Sequence, residues 1–591
     1  MKAKNLSFKK SLRAGSFLAI CAAMIFAGCA SSPLNEENHT ETLPKIDMSK
    51  WLYNAEDDVY YQTGLSYAAS PADSNYETLG IFVPGAFFTA EKSGTDAAGN
   101  ETYSVRVNKT AKAGDFTAGN APFVMPIQTP GYAALEPPKS YTHSAAGYTK
   151  NGFIFVYAGA RGRDHGAPAG VTDFKAAIRY VRYNKNLLPG DTKSYFTYGM
   201  SGGGAQSAVI GASGDSKEYE PYLKAIGAVM SESDAVLGSQ DWCPITNLNV
   251  ADEAYEWELG AARKNLDSET ESLSKKMAVK FAEYLNSLNL EDEDGNPLSL
   301  SQSEDGLYHA GTYYEYLKKM IETSLNNFLS DTKFPYNPEE QKAALGSNMI
   351  PTGNSFPRLP DPSAVKIEDL DGVNRGEAQG GQLSLSGTYA SAEDYISALN
   401  QNENWVLYDK DSNTAEITSV EAFMRNVKQL QKNVGAFDDL SGTQPENVLF
   451  GLGDGNGGHF DKIMAEILKG TEKGDEYSSS IARKDSLGFD VSYRMNLYNP
   501  MYFLSPAYGG FKKSTPAKYW RINAGIFQGD TAVSTELLYH LALKNYGNGV
   551  EDVKFFDVWG LHHVEAERAS VGDGTSTGNF IAWVKECLEQ A

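Results

Sequence analysis

The stretch Tyr195-Phe-Thr-Tyr-Gly-Met-Ser-Gly-Gly-Gly-Ala-Gln206 decides how the rest of the chain is read. Residues 194–198 are aromatic and β-branched and predict a strand, while Gly204-Ala-Gln-Ser-Ala-Val-Ile-Gly211 predicts a small-residue helix. Between them stands Gly199-Met200-Ser201-Gly202-Gly203, a G-x-S-x-G sequence in the strand-to-helix context the motif demands. A serine hydroxyl is a weak nucleophile unless a tight turn projects its Oγ beside a base, and side chains at the flanking glycines would clash with strand and helix. The helix N-terminus adds a dipole favourable to an oxyanion. A phosphate cradle is the competing reading, but neither G-x-x-x-x-G-K-[ST] nor G-x-G-x-x-G accompanies the turn. The turn therefore points to an α/β-hydrolase fold, a mostly parallel doubly wound sheet, with Ser201 as nucleophile.

Outward from this turn, residues 60–67, 79–83, 123–127 and 153–157 read as strands separated by Gly/Pro punctuation. Residues 172–184 place Phe174, Ala177, Ile178 and Val181 at helical spacing behind a Thr or Asp N-cap, so strand, helix and strand imply a parallel crossover. The alternation returns with a strand at 521–526, a helix at 534–544, a strand at 553–558 and a closing helix at 579–588. Residues 252–500 differ: helical stripes at 273–288, 313–329 and 420–432 lie in an acidic stretch rich in Asn, Gly and Ser. This predicts a large, mainly helical lid inserted before the last core strands, which divides the core into residues 51–251 and 501–591. Within the lid, Gly451-Leu-Gly-Asp-Gly-Asn-Gly-Gly-His459 reads as a flexible turn and Asp292-Glu-Asp-Gly-Asn296 as a hairpin turn rather than cation sites.

On such a fold the base and acid follow the serine in the order Ser, Asp or Glu, His. Of eight histidines, only His562 and His563 follow the last expected strand. Asp530 is the sole carboxylate of the loop Ile526-Phe-Gln-Gly-Asp-Thr531 after the penultimate strand and is the expected acid, although it could instead cap the next helix. Asp234, behind an expected strand at 226–230, is the reserve. The oxyanion hole takes one N–H from Gly202 and one from Gln128-Thr-Pro-Gly-Tyr132; Pro130 has none to give, so Gly131 or Tyr132 donates.

The chain of 591 residues is 41% hydrophobic and 21% charged, an ordinary globular mixture, and its net charge of −23 argues against nucleic acid. Lys2, Lys4, Lys9, Lys10 and Arg13 precede an apolar run at 17–26 too short to span a bilayer, ending in Ala27-Gly28-Cys29. Residues 1–28 thus read as a lipoprotein signal, with Cys29 the acylated first residue and 29–50 a flexible tether. The only membrane contact expected is that anchor, holding an exported protein at the periplasmic or cell surface. Cys243 and Cys587 remain, and whether they pair is open. No C-x-x-C pair suggests structural metal, and the chemistry requires neither metal nor cofactor.

From about residue 50 to the C-terminus the sequence resembles the bacterial tannases, serine α/β-hydrolases that cleave galloyl and related aromatic esters. The likeness rests on Tyr61-Gln-Thr-Gly64, Ala158-Gly-Ala-Arg-Gly-Arg-Asp164, Gly199-Met-Ser-Gly-Gly-Gly-Ala-Gln206, Trp242-Cys-Pro-Ile-Thr-Asn247, Ala251-Asp-Glu-Ala-Tyr-Glu-Trp257, Gly525-Ile-Phe-Gln-Gly-Asp530 and Trp559-Gly-Leu-His-His563. It implies Ser201 as nucleophile, His563 as base, Asp530 as acid, and a lid between the sixth and seventh core strands. It also implies two acids two residues apart on the acid loop, one for the triad and one for a galloyl hydroxyl, where this chain has Gln528 and Asp530. The expected function is a secreted serine esterase acting on small aromatic esters; a generic carboxylesterase and a non-catalytic, surface-binding lipoprotein are the alternatives.

Overall fold

The computed structural model describes residues 43–338, 385–428, 430 and 432–590. The signal segment, Cys29 and most of the expected tether lie outside them. Residues 43–50, expected in the tether, instead join the folded body: Leu43 and Ile46 are buried, and the Ile46 N–H donates to Asn184 Oδ1 at 3.0 Å.

Nine strands form one sheet: β1 (Leu52–Asn54), β2 (Val59–Ser66), β3 (Thr78–Pro84), β4 (Phe123–Ile127), β5 (Ile154–Ala158), β6 (Tyr195–Met200), β7 (Gly238–Trp242), β8 (Tyr519–Gly525) and β9 (Asp552–Val558), in the spatial order β1-β2-β3-β5-β4-β6-β7-β8-β9. The first three pair antiparallel and β3 joins β5 antiparallel; every pairing from β5 onward is parallel. The central strands are buried along their length, as a sheet covered on both faces requires.

Helix α1 (Ala169–Tyr183) bridges β5 and β6. It starts three residues before the expected cap, because Thr172 turns its hydroxyl back to Pro168 O at 3.0 Å and Asp173 is buried against Arg161, whose Nη2 lies 2.7 Å from Oδ1. Helix α2 (Gly202–Ala212) follows β6 directly. No strand forms at 226–230; the strand of that region is β7, whose Ser239, Gln240 and Asp241 are all buried. Asp234 precedes β7, at the opposite end of the strands from Ser201. It lies 2.7 Å from Lys175 Nζ and 2.6 Å from Arg179 Nη2, so it fastens α1 and is no reserve acid.

The chain between β7 and β8 carries α3 (Ala251–Leu259), α4 (Ser268–Leu288), α5 (Thr312–Asp331) and α6 (Val420–Val427). Asp267 caps α4 through the Glu269 and Thr270 N–H groups, and Phe281 on its apolar face packs 5.1 Å from Trp257. Helix α6 ends at Val427, short of the expected 432, where Lys428 turns extended and buries its ammonium 3.8 Å from Glu258. The described residues belong to one compact unit, and contacts from the interrupting stretch reach the core: Ser324 Oγ donates to Asp557 O at 2.7 Å, and Arg494 to Ala167 O at 3.4 Å. Helices α7 (Val533–Asn545) and α8 (Ser576–Gln590) complete the core. Cys243 and Cys587 are both buried and unpaired, and no helix of the described residues is long and apolar enough to cross a membrane.

Candidate active site

Ser201 sits between β6 and α2 at φ 60 and ψ −125, a backbone region that costs a side-chain-bearing residue on the order of 1–3 kcal/mol. The neighbouring glycines make the turn possible. A Cβ on Gly199 would lie 2.5 Å from Gly203 C, one on Gly203 2.0 Å from Ile127 O, and one on Gly202 2.6 Å from Tyr132 N. The Ser201 N–H donates to Trp242 O at 3.0 Å, which ties the turn to the end of β7. The strained backbone aims Oγ at His563, whose Nε2 stands 2.8 Å away. His563 lies beyond β9 in the loop opened by Trp559, while the ring of His562 packs edge-on against Phe527.

The other imidazole nitrogen faces a different residue from the one expected. His563 Nδ1 is 2.7 Å from Gln528 Oε1, and Asp530 makes no hydrogen bond to the ring. The reason is the turn after β8. The Gln528 N–H closes on Gly525 O at 3.0 Å, which directs the Gln528 side chain inward, where it is 1% exposed. Tyr255 on α3 holds the next carbonyl, its hydroxyl donating to Gly529 O at 2.8 Å, and Asp530 is left half-buried at the edge of the site. Its charge still reaches the imidazole. Burial pushes the His563 pKa below the usual histidine value, Asp530 opposes that shift and Lys432 adds to it.

A Cβ on Gly202 would also lie 3.2 Å from Gly131 N, so the Gln128 to Tyr132 turn packs against the residue after Ser201, and the Tyr132 N–H is bound to Thr129 O at 2.9 Å. Gly131 adopts φ 54, and Arg163 fixes it by donating to its carbonyl at 2.7 Å. In the Arg161 to His165 segment, Arg161 anchors on Asp173 and Arg163 holds the Gly131 turn.

The BD-FAE family matches residues 117–305, the segment that carries β4 to β7, the serine turn and the Gly131 turn. Among solved structures, the tannin acyl hydrolase from Lactobacillus plantarum is 24% identical, with 90% of this chain and 94% of that chain covered at a TM-score of 0.62. The Fusobacterium nucleatum tannase is 23% identical, with 91% and 97% covered at a TM-score of 0.63. A tannin acyl hydrolase in complex with ethyl gallate is 24% identical, with 89% and 94% covered at a TM-score of 0.60. The fold is tannase-like. No curated protein matches the chain.

The tannase-like frame brings together charged groups that no local motif marks. Lys432 acts on His563 from the interrupting stretch, held there by Arg263, which donates to Lys432 O at 3.1 Å and Asn433 O at 2.9 Å while gripping Glu256. Glu446 is 5% exposed, with Oε2 lacking a hydrogen-bond partner, and its charge acts on Tyr132 in the Gly131 turn. One signal was available in sequence: these charges lie in the long interruption of an otherwise regular alternation. Cys243 fills the floor, fully buried. Its N–H donates to Asn523 O at 2.7 Å and its thiol to Val564 O at 3.1 Å, while the Gly525 N–H reaches Sγ at 3.4 Å. Burial pushes this thiol's pKa up to about 12.

Proposed function

We propose that this protein is an exported serine carboxylic-ester hydrolase acting on galloyl or related phenolic esters. The observation that carries the reading is the contact of 2.8 Å between Ser201 Oγ and His563 Nε2 at a strained strand-to-helix turn, with the Gly202 and Gly131 N–H groups beside it. His563 takes the Ser201 proton as Oγ attacks the acyl carbon, and the two N–H groups hold the developing oxyanion. The imidazolium then protonates the leaving alcohol. Water, deprotonated in turn by His563, clears the acyl-enzyme and regenerates the serine.

The substrate class is supported by charged groups that act on the residues beside the serine, Lys432 and Asp530 on His563 and Glu446 on Tyr132. Lys432, Glu446 and Asp530 offer one cation and two acceptors, a set that suits the hydroxyl groups of a phenol. The likeness to a tannin acyl hydrolase solved with ethyl gallate and to one solved with 3,4-dihydroxybenzoate agrees with this class. The stretch between β7 and β8 acts as the lid that carries Lys432 and Glu446 to the site. Export through the N-terminal signal and a lipid on Cys29 would leave the enzyme tethered on the non-cytoplasmic side.

Hydrolysis of methyl gallate, methyl ferulate and p-nitrophenyl acetate by the protein and by Ser201→Ala tests the proposal. Turnover of the phenolic esters is expected, falling by about 10⁴-fold or more in the variant. Turnover that survives in Ser201→Ala, or none in the folded parent, would overturn the serine mechanism; cleavage of p-nitrophenyl acetate alone would overturn the substrate class.

A further inference from the structure

The hydrogen bonds that begin at Ser201 do not stop at Gln528. Its Oε1 faces His563 Nδ1 at 2.7 Å, and its Nε2 donates to Glu536 Oε1 at 2.8 Å. Glu536 lies in the first turn of α7, fully buried, and the Thr535 hydroxyl stands 3.1 Å from its other oxygen, Oε2. The line Ser201, His563, Gln528, Glu536 is thus continuous from nucleophile to a carboxyl group two residues behind the imidazole.

An amide side chain has one accepting end and one donating end, and what it meets at the far side decides which end faces the near side. Glu536 Oε1 is an acceptor when the carboxyl is ionised. It is equally an acceptor when the carboxyl is neutral with its proton on the oxygen facing Thr535. Gln528 must therefore turn its NH₂ toward Glu536, which leaves Oε1 toward the imidazole. An accepting oxygen at Nδ1 requires Nδ1 to carry the proton, so Nε2 presents its lone pair to Ser201 Oγ, the arrangement a general base needs. Without a fixed acceptor behind it, Gln528 could rotate its amide, place NH₂ against Nδ1 and select the opposite tautomer.

We propose that Glu536 is the positioning residue of the site: acting through Gln528, it sets the tautomer of His563, a role that rests on the serine-esterase reading only for its kinetic consequence. Asp530 does not share this role, because it makes no hydrogen bond to the ring. The groups facing Glu536 are Asp557 at the end of β9, Glu258 on α3 and Lys428 beyond α6. Glu258 accepts from the Val533 and Ser534 N–H groups at 2.9 Å each and so holds the first turn of α7, which fixes Glu536 in place. Burial and Asp557 push the Glu536 carboxyl above the usual range while Lys428 opposes them, and Oε1 stays an acceptor for Gln528 on protonation when the proton settles on Oε2, beside the Thr535 hydroxyl.

The test has a spectroscopic arm and a kinetic arm. In protein labelled with ¹⁵N-histidine, with the His563 signals assigned by their loss in His563→Gln, the resting ring is expected to show a protonated Nδ1 and a bare Nε2. Glu536→Gln keeps the volume but offers Gln528 either a donor or an acceptor. It is expected to mix the tautomers and to lower kcat by about tenfold to a hundredfold, with KM within about twofold. The double replacement Gln528→Glu with Glu536→Gln exchanges the two groups and restores one acceptor toward His563, and should recover both the ring pattern and most of kcat. A folded Glu536→Gln protein with the parent's tautomer and kcat overturns the proposal, as does a folded double variant no better than the single. If the parent cleaves no ester, the esterase reading fails and the nitrogen shifts alone decide the relay.

Discussion

His563 titrates under opposed influences, and each makes a measurable difference. A general base must be neutral, so kcat/KM falls as pH drops through the histidine pKa of the free enzyme. Burial lowers that pKa, so the acid limb is expected below the ordinary value of about 6.5. Asp530 raises it and Lys432 lowers it, which fixes the sign of two substitutions. Asp530→Asn should move the limb to lower pH and Lys432→Met to higher pH, each read from a pH profile of kcat/KM with p-nitrophenyl acetate, which has no phenolic hydroxyl to be gripped. A limb that stays put in both variants would show that neither charge faces the imidazole. The pairing of His563 with Gln528 also explains why residue types alone misassigned the acid. The loop offers one carboxylate, Asp530, whereas the inward position is set by the turn that closes Gln528 on Gly525.

The elements divide into those hydropathy could find and those it could not. Strands β2 to β6, β8 and β9 are rich in β-branched and aromatic residues and read plainly, as did α4, α5, α7 and α8. Strand β7 is Gly-Ser-Gln-Asp-Trp and carries no run of β-branched or apolar residues, because its burial rests on partners elsewhere in the chain. Ser239 Oγ pairs with Ser207 Oγ at 2.8 Å, Gln240 Oε1 accepts from Arg521 at 2.7 Å, and Asp241 accepts from Tyr539 at 2.9 Å. A buried polar strand is stable only when each group is matched, which no local window reveals. The same holds for Asp234, whose two buried cations lie one turn apart on α1. Removing one partner of a buried ion pair leaves uncompensated charge, so Asp234→Ala should cost about 3–5 kcal/mol in denaturant unfolding. Because Asp234 lies away from Ser201, kcat per folded molecule should match the parent; a loss of kcat without loss of stability would restore it as a candidate acid.

At the scale of the molecule, the interruption between β7 and β8 is part of the body rather than an appended domain. Arg494 donates to Ala167 O at 3.4 Å ahead of α1, Ser324 reaches β9, and Arg568 lies 3.0 Å from Asp331 at the end of α5. Thermal unfolding is therefore expected as one cooperative transition. Phe281→Ala in α4 and Ile522→Ala in β8 should both lower that single midpoint; two separable transitions would show that the interruption folds on its own. The existence of such an interruption was legible from the broken alternation of strands and helices, but its attachment was not, since the anchoring groups are single polar residues hundreds of positions from their partners. Cys243 gives this arrangement a clock. Its sulfur is sealed between the serine turn, the β8 end and the histidine loop, so an alkylating reagent can reach it only in the moments when those three part. The pace of labelling thus counts how often the catalytic floor comes undone, and any molecule that closes the site will slow the count.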